Sequence, residues 1–301
     1  MEDSEKMAKS ILAHDNGGVG RSAASARTRE TGLKVIMTIA FLVIGFLMVL
    51  PFLWMLSASF KNAADIFRYP IQWIPEKFDW YNYHKVWTGS VSFAVFYWNS
   101  IKITFLQVAG TLVTSSLAGF AFAKLQFKFK ELIFLVYLST MIIPHQVLFV
   151  PRFIMFDQMG LVNSHLGIIL PGMFTVLGTF LMRQFFSTLP NELLEAAKVD
   201  GAGYWRMYWQ ISLPLTKPAI VTLLILAFTW HWNEYENPLI LLRDRDLFTI
   251  PIGLTSYMDE NGTNYPLIMA ASCSALAPLI LIVSICQRWF VEGIASTGLK
   301  G

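Results

Sequence analysis

Four residues in the last third of the chain have side chains that could do chemistry in apolar surroundings: Trp230, Asn233, Glu234 and Asn237. They recur at i, i+3, i+4 and i+7, so a continuous helix would carry them on one face. An indole plane can stack on the apolar face of a sugar ring, and amides and a carboxylate can bind hydroxyl groups. The set therefore suits a path for a hydroxyl-rich solute. It equally suits a helix end with snorkelling polar groups and packing between subunits. His231 and Glu234 have the spacing of a metal pair, but two ligands do not make a site. No Ser/His/Asp or multi-histidine grouping supplies a catalytic set. Cys273 and Cys286 share one apolar run, which favours small packing residues over a disulfide or a metal site.

The elements that must position these residues follow from composition. The 301 residues are 55% hydrophobic and 14% charged, with a mean hydropathy of +0.51. A soluble domain carries about a quarter charged residues. Six apolar runs, at 33–56, 99–125, 132–151, 166–186, 219–242 and 267–290, are each near the ~20 residues that cross a bilayer. The fold class is therefore an all-α membrane protein with six transmembrane helices. Asn233 lies ~20 Å along the fifth run from Ala219. Glu234 is then in the outer part of the bilayer, where a carboxylate must face the bundle interior or a watery cavity. The second run carries Thr111, Ser115, Gly119 and Ala123, a stripe of small residues for close helix packing. Pro144 in the third run frees a carbonyl and can bend that helix.

Residues 1–32 are rich in Ser, Ala, Gly and charge and read as a disordered tail. Run 33–56 is too long for a signal-peptide core and has no small-residue cleavage site, so it is an uncleaved first span. The net charge of +3 is too small to suggest nucleic-acid binding. Lys and Arg are roughly twice as frequent in the N-terminal tail, the 124–130 and 183–217 loops and the C-terminal tail as in the opposite loops. That side, with both termini, is expected to be cytoplasmic. The outer segment 57–98 is aromatic and reads as an interfacial cover.

The most polar long stretch lies between the fourth and fifth runs, at 188–218. Pro190 suits a helix start, and Asn191 and Glu192 suit the positive end of its dipole. Leu193, Ala196, Ala197 and Asp200 fall at helical spacing, and the two alanines leave a shallow face for another surface. Gly201 suits a helix stop, because glycine takes a left-handed conformation without steric cost. Asp200 can bond backbone N–H groups around that turn. A second short helix is predicted from about Gly203 to Leu213, ended by Pro214. The stretch reads as a helix–glycine–helix elbow on the cytoplasmic membrane surface.

Glu195-Ala196-Ala197, Asp200-Gly201-Ala202, Leu213-Pro214 and Pro218 resemble the EAA loop of ABC-importer permeases. Trp232-Asn233-Glu234 followed by Pro238-Leu239 resembles a second signature of that family. Ser59-Phe60-Lys61, Asn82-Tyr83, Asn99-Ser100 and the Lys300-Gly301 end are similar to its carbohydrate branch, including the maltose-type smaller permease. The resemblance extends from about residue 33 to the end.

The resemblance implies the type I ABC importer permease fold, with a cytoplasmic coupling helix inside the permease domain 33–290 and a C-terminal tail at 291–301. It implies that Glu195, Ala196, Ala197, Asp200 and Gly201 couple to the ATPase. Trp230, Asn233, Glu234 and Asn237 would line the substrate path. The implied protein is not an enzyme. It is the transmembrane permease subunit of an ATP-driven importer in a bacterial-type inner membrane, moving a sugar or sugar-like solute. The chain has no Gly-x-x-x-x-Gly-Lys-[Ser/Thr] cradle, so no cofactor is expected in it; ATP and Mg belong to partner subunits. The implied partners are a second permease subunit, two ATP-binding cassette subunits, an extracytoplasmic sugar-binding protein met by loop 243–266, and membrane lipid. An ion-coupled secondary transporter would instead favour paired charges deep in several spans and an inverted repeat. A membrane-embedded enzyme would need a convergent acid, base or metal set.

Overall fold

The structure is a computed structural model that describes the backbone of residues 2–89, 93–259 and 262–298. The chain divides into two compact units, residues 1–57 and 58–301. The first unit is helical. Helix α1 runs Glu2–Ser59, ending two residues inside the second unit. It takes in residues 2–32, so the expected disordered tail is helical here. Ala, Glu, Lys and Arg in that stretch have high helix propensity, and a helix propagates more easily than it nucleates.

The second unit begins with the short helices α2 (Ala63–Ile66) and α3 (Tyr81–Thr88), followed by the long α4 (Phe93–Lys124). Then come α5 (Lys130–Ser139), α6 (Phe149–Gln158), α7 (His165–Gly172), α8 (Val176–Thr188) and α9 (Asn191–Val199). The short α10 (Tyr204–Arg206) leads through a π-helical turn, Met207–Ser212, into α11 (Leu213–Leu215). Next are α12 (Lys217–Trp232), α13 (Glu236–Leu241) and α14 (Ile250–Gly253). Two-residue strands β1 (Met258–Asp259) and β2 (Gly262–Thr263) pair antiparallel before α15 (Tyr265–Gly298). Helix α15 takes in residues 291–298 of the expected C-terminal tail, while residues 299–301 lie outside the described part.

Among the described residues four helices are long and apolar enough to cross a membrane, or six if each of two bent pairs is one span. The third expected span bends by 93° between Lys130–Ile142 and His145–Gln158. The bend falls at Pro144, which has no N–H for an interior ladder. The other bent pair, Tyr204–Leu215 and Lys217–Trp232, turns by 78° at Thr216. The fourth span is interrupted at Met173–Thr175, where Thr175 is extended.

Helix α4 is the central element and packs on α7, α8, α12 and α14. It is apolar, yet Gln107, Thr111, Ser115 and Ser116 are buried in it. Gln107 and Thr111, with the half-buried Thr114, bond carbonyls of the fourth span at and before its break. Gln107 Nε2 donates to Ile168 O at 3.0 Å, Thr111 Oγ1 to Gly172 O at 3.0 Å and Thr114 Oγ1 to Met173 O at 2.6 Å. Ser115 and Gly119 of the small-residue stripe lie at the α4–α8 contact, and the approach at Gly119 is tight. A Cβ added there would lie 2.6 Å from Met182 Cβ and 2.8 Å from Arg183 N, closer than real contacts come.

Gly119→Leu should therefore push α4 away from α8 and lower stability by about 1–3 kcal/mol. The thermal midpoint of the purified permease complex checks this. An unchanged midpoint would mean that the two helices do not meet there.

Candidate functional site

The residues singled out by the sequence fall in two regions: a break in the fifth span, and the elbow. At the break, α12 stops at Trp232, and Asn233 (φ −95°, ψ 5°) leaves the helix. The backbone resumes as α13 at Glu236. A continuous helix would drive the Pro238 ring into the carbonyl of Glu234, whereas Pro238 in the first turn of a new helix is tolerated. The single face predicted for Trp230, Asn233, Glu234 and Asn237 therefore does not form.

The break does bring two of the four together. Asn237 Nδ2 donates to Glu234 Oε1, and Asn237 Oδ1 accepts from Arg152 Nη1 at 2.6 Å. Glu234 Oε2 is 3.9 Å from His231 Nδ1, with the two side chains 13% and 9% exposed. Glu236, beside the network, accepts from Gln146 Nε2 at 3.3 Å. The other two stand apart: Asn233 Nδ2 bonds back to Thr229 O at 2.8 Å, and the Trp230 ring is 68% exposed. Sequence reasoning missed Arg152 and Gln146. They flank the bend of the third span, 85 and 90 residues from their partners, and Pro144 was the available signal. The result is a set of donors and acceptors joining the broken third and fifth spans. It can bind hydroxyl or charged groups of a solute, but it has no nucleophile with a base. Among the described residues no group of three or more His, Cys, Asp or Glu could hold a metal ion.

The outer loop after α13 is held by side chains from α4, from the link before α7 and from the start of α7. Asn99 Nδ2 donates to Asp246 O at 2.7 Å and to Phe248 O at 3.1 Å, and Ser100 Oγ accepts from Ile250 N at 2.8 Å. Asn163, at φ 56°, accepts from the amides of Arg243 and Asp244, both at 3.0 Å, and His165 Nε2 donates to Leu247 O at 2.9 Å. Further along, burial pushes the Tyr257 hydroxyl up to about 12, against the opposing charge of Arg245. Glu260 and Asn261, in the predicted 243–266 loop, lie outside the described residues.

The elbow is built on α9. Its C-terminus is a Schellman motif: Gly201 N bonds Lys198 O at 3.0 Å and Ala202 N bonds Ala197 O at 2.9 Å. Gly201 sits at φ +82°, which a side chain disfavours. The Asp200 side chain is exposed and forms no hydrogen bond to the turn; the backbone alone closes it. The two alanines do not share a face, since successive helical residues point about 100° apart. Ala197 is 9% exposed and packs with Leu194, Ala202, Met207 and Tyr208. Glu195 and Ala196 are exposed, as are Leu193 at 46% and Val199 at 88%. The second arm runs from Tyr204 through the π turn to Leu215, longer than predicted, with Pro214 inside it. Tyr208 and Ser116 share a hydrogen bond at 2.7 Å, tying this arm to α4.

Comparison with known proteins identifies the family. Residues 110–296 match the family model described as binding-protein-dependent transport system inner membrane component. The chain is 32% identical over 271 residues to the arabinooligosaccharides transport system permease protein AraQ of Halalkalibacterium halodurans, covering 89% of this chain and 97% of that protein. It is 33% identical over 264 residues to the sn-glycerol-3-phosphate transport system permease protein UgpE of Yersinia enterocolitica, covering 85% and 94%. The fold is similar to a chain of a bacterial ABC transporter involved in the import of the acidic polysaccharide alginate. The TM-score is 0.77 at 20% identity, over 86% of this chain and 96% of that one. The architecture is therefore that of an ABC importer permease, a multi-pass transport subunit rather than an enzyme. This chain belongs to the family of binding-protein-dependent transport system inner membrane components.

Proposed function

We propose that this chain forms half of the translocation pathway of an ATP-driven importer for a sugar or sugar-like solute. The observation that carries the reading is the elbow. It is a nine-residue helix with Glu195, Ala196 and Val199 turned outward and Ala197 packed inward, and it ends on a rigid Schellman turn. Such a surface suits a groove on a partner ATPase, with Glu195 available to a basic group there. Ala196, Asp200 and Gly201 complete the coupling surface, and Ala197 holds it from behind. Closure of two partner ATP-binding cassette subunits would move the elbow as a lever and exchange inward-open for outward-open helices. ATP and Mg are bound by those partners.

A second permease subunit supplies the other half of the path. An extracytoplasmic binding protein delivers the solute at loop 243–266, whose held backbone suits a docking surface. The elbow loop 188–218 and both termini, including residues 1–32 and 291–301, face the cytoplasm; lipid surrounds the spans, and no nucleic acid is involved. The similar proteins named for arabinooligosaccharides, glycerol phosphate and alginate support a hydroxyl-rich solute, neutral or acidic. Trp230, Asn233, Glu234 and Asn237 are assigned to its path, and Arg152 joins them through Asn237. The guanidinium still has N–H donors free for solute oxygens.

Topology is tested with Cys273 and Cys286 replaced by serine and single cysteines placed at 198 or 245. Position 198 should label only from the cytoplasm and 245 only from outside; labelling of both from one side overturns the arrangement. Glu234→Ala should cut solute flux several-fold in reconstituted vesicles while complex yield holds. A parallel fall in yield would make the break structural. Gly201→Val forces a β-branched residue to positive φ, at a cost of ~1 kcal/mol or more. It should leave membrane insertion intact and abolish the stimulation of ATP hydrolysis by loaded binding protein. Full stimulation in that variant would remove the elbow from the coupling path.

A further inference from the structure

One side chain joins the cytoplasmic end of α4 to the first arm of the elbow. Lys124 is the last residue of α4. Its Nζ donates to Leu189 O at 2.6 Å and to Asn191 Oδ1 at 2.7 Å. Leu189 caps α8, and Asn191 is the first residue of α9. The ammonium therefore sits where three helices converge, holding the N-terminal end of the coupling helix. Both bonds are charge-assisted and so stronger than neutral ones.

The other end of α4 is also committed. Asn99 and Ser100, 5% and 2% exposed, hold the outer loop at Asp246, Phe248 and Ile250. Helix α4 is 32 residues long with no internal proline, while the third, fourth and fifth spans are broken or bent. Between the two grips, from Ser100 to Lys124, it is a rod of ~36 Å at 1.5 Å per residue. It links the loop that faces one partner to the elbow that faces another.

We infer that Lys124 is a positioning residue that fixes the coupling helix to α4, so that the state of the outer loop reaches the ATPase-facing surface through that rod. This rests on the elbow being the coupling surface. A lysine serving only membrane topology or helix-end solubility would have no need of two acceptors at the junction of α8 and α9. Its substitution would not change how hydrolysis responds to the binding protein.

The test uses the complete importer in vesicles and reads basal ATP hydrolysis, hydrolysis with loaded binding protein, and solute uptake. Lys124→Met should keep basal hydrolysis and lower the binding-protein stimulation roughly fivefold or more. Lys124→Arg, whose guanidinium can reach both acceptors, should restore it. Asn191→Ala removes one acceptor and leaves Leu189 O, so it should give a smaller loss in the same direction. Asn99→Ala, at the far end of the rod, should also reduce stimulation. Combined with Lys124→Met it should add little.

Full stimulation and uptake in Lys124→Met overturns the inference. If Lys124→Met fails to assemble, Asn191→Ala decides: normal stimulation there overturns it equally. Gly201→Val separates the two levels. Stimulation lost in Gly201→Val but kept in the Lys124 and Asn191 variants removes the strut alone. Stimulation kept in Gly201→Val removes the elbow reading beneath it.

Discussion

Inside a bilayer every backbone amide and carbonyl must find a partner within the protein, because no water is there to serve. The fold depends on how this chain meets that constraint where its helices break. The fourth span opens at Met173–Thr175, and the unbroken α4 answers with Thr111 and Thr114 on the carbonyls of Gly172 and Met173. These polar groups sit in a helix that hydropathy alone reads as plain. Gly119 and Ser115 let α8 come close enough for α4 to act as this partner. The breaks in the third and fifth spans are joined by side chains instead, through Arg152 to Asn237 and Gln146 to Glu236.

This division of labour sets out what can move. Broken helices joined by a few polar side chains can have two arrangements separated by modest energy, as alternating access requires. An unbroken helix buried against four neighbours cannot rearrange so cheaply. On the proposed transport reading, α4 would be the fixed member and the bent third and fifth spans the adjustable ones. The elbow belongs with the fixed part: Tyr208 bonds Ser116 on α4, Phe120 packs on Tyr208 and Phe186, and Ala197 lies in the same apolar cluster. These contacts join the elbow directly to the helix bundle.

Much of this is legible in the sequence, and the rest is not, for physical reasons. The spans follow from apolar run length, the α4 stripe from small residues four apart, and the elbow's stop from Gly201. The break at Asn233 also had a local signal, since Pro238 forbids a continuous ladder through Glu234, but helical spacing of polar residues masked it. The partition of Ala196 and Ala197 had no signal, because identical side chains one position apart differ only in what the fold brings against them. Arg152 and Asn237, 85 residues apart, meet only in the folded bundle, past the bend of the third span and the break in the fifth. Asn99 and Ser100 stood out by family likeness, yet their grip on residues 246–250 is a long-range contact that no local pattern predicts.

The central claim is that the elbow is two-sided, with Ala196 turned out to the ATPase and Ala197 turned in to the bundle. Photo-crosslinking amino acids placed singly at 196 and at 197 in the assembled importer test it most directly. The probe at 196 should capture an ATP-hydrolysing subunit, and the probe at 197 should crosslink only within this chain. Capture of that subunit from 197 as readily as from 196, or from neither, would contradict the account.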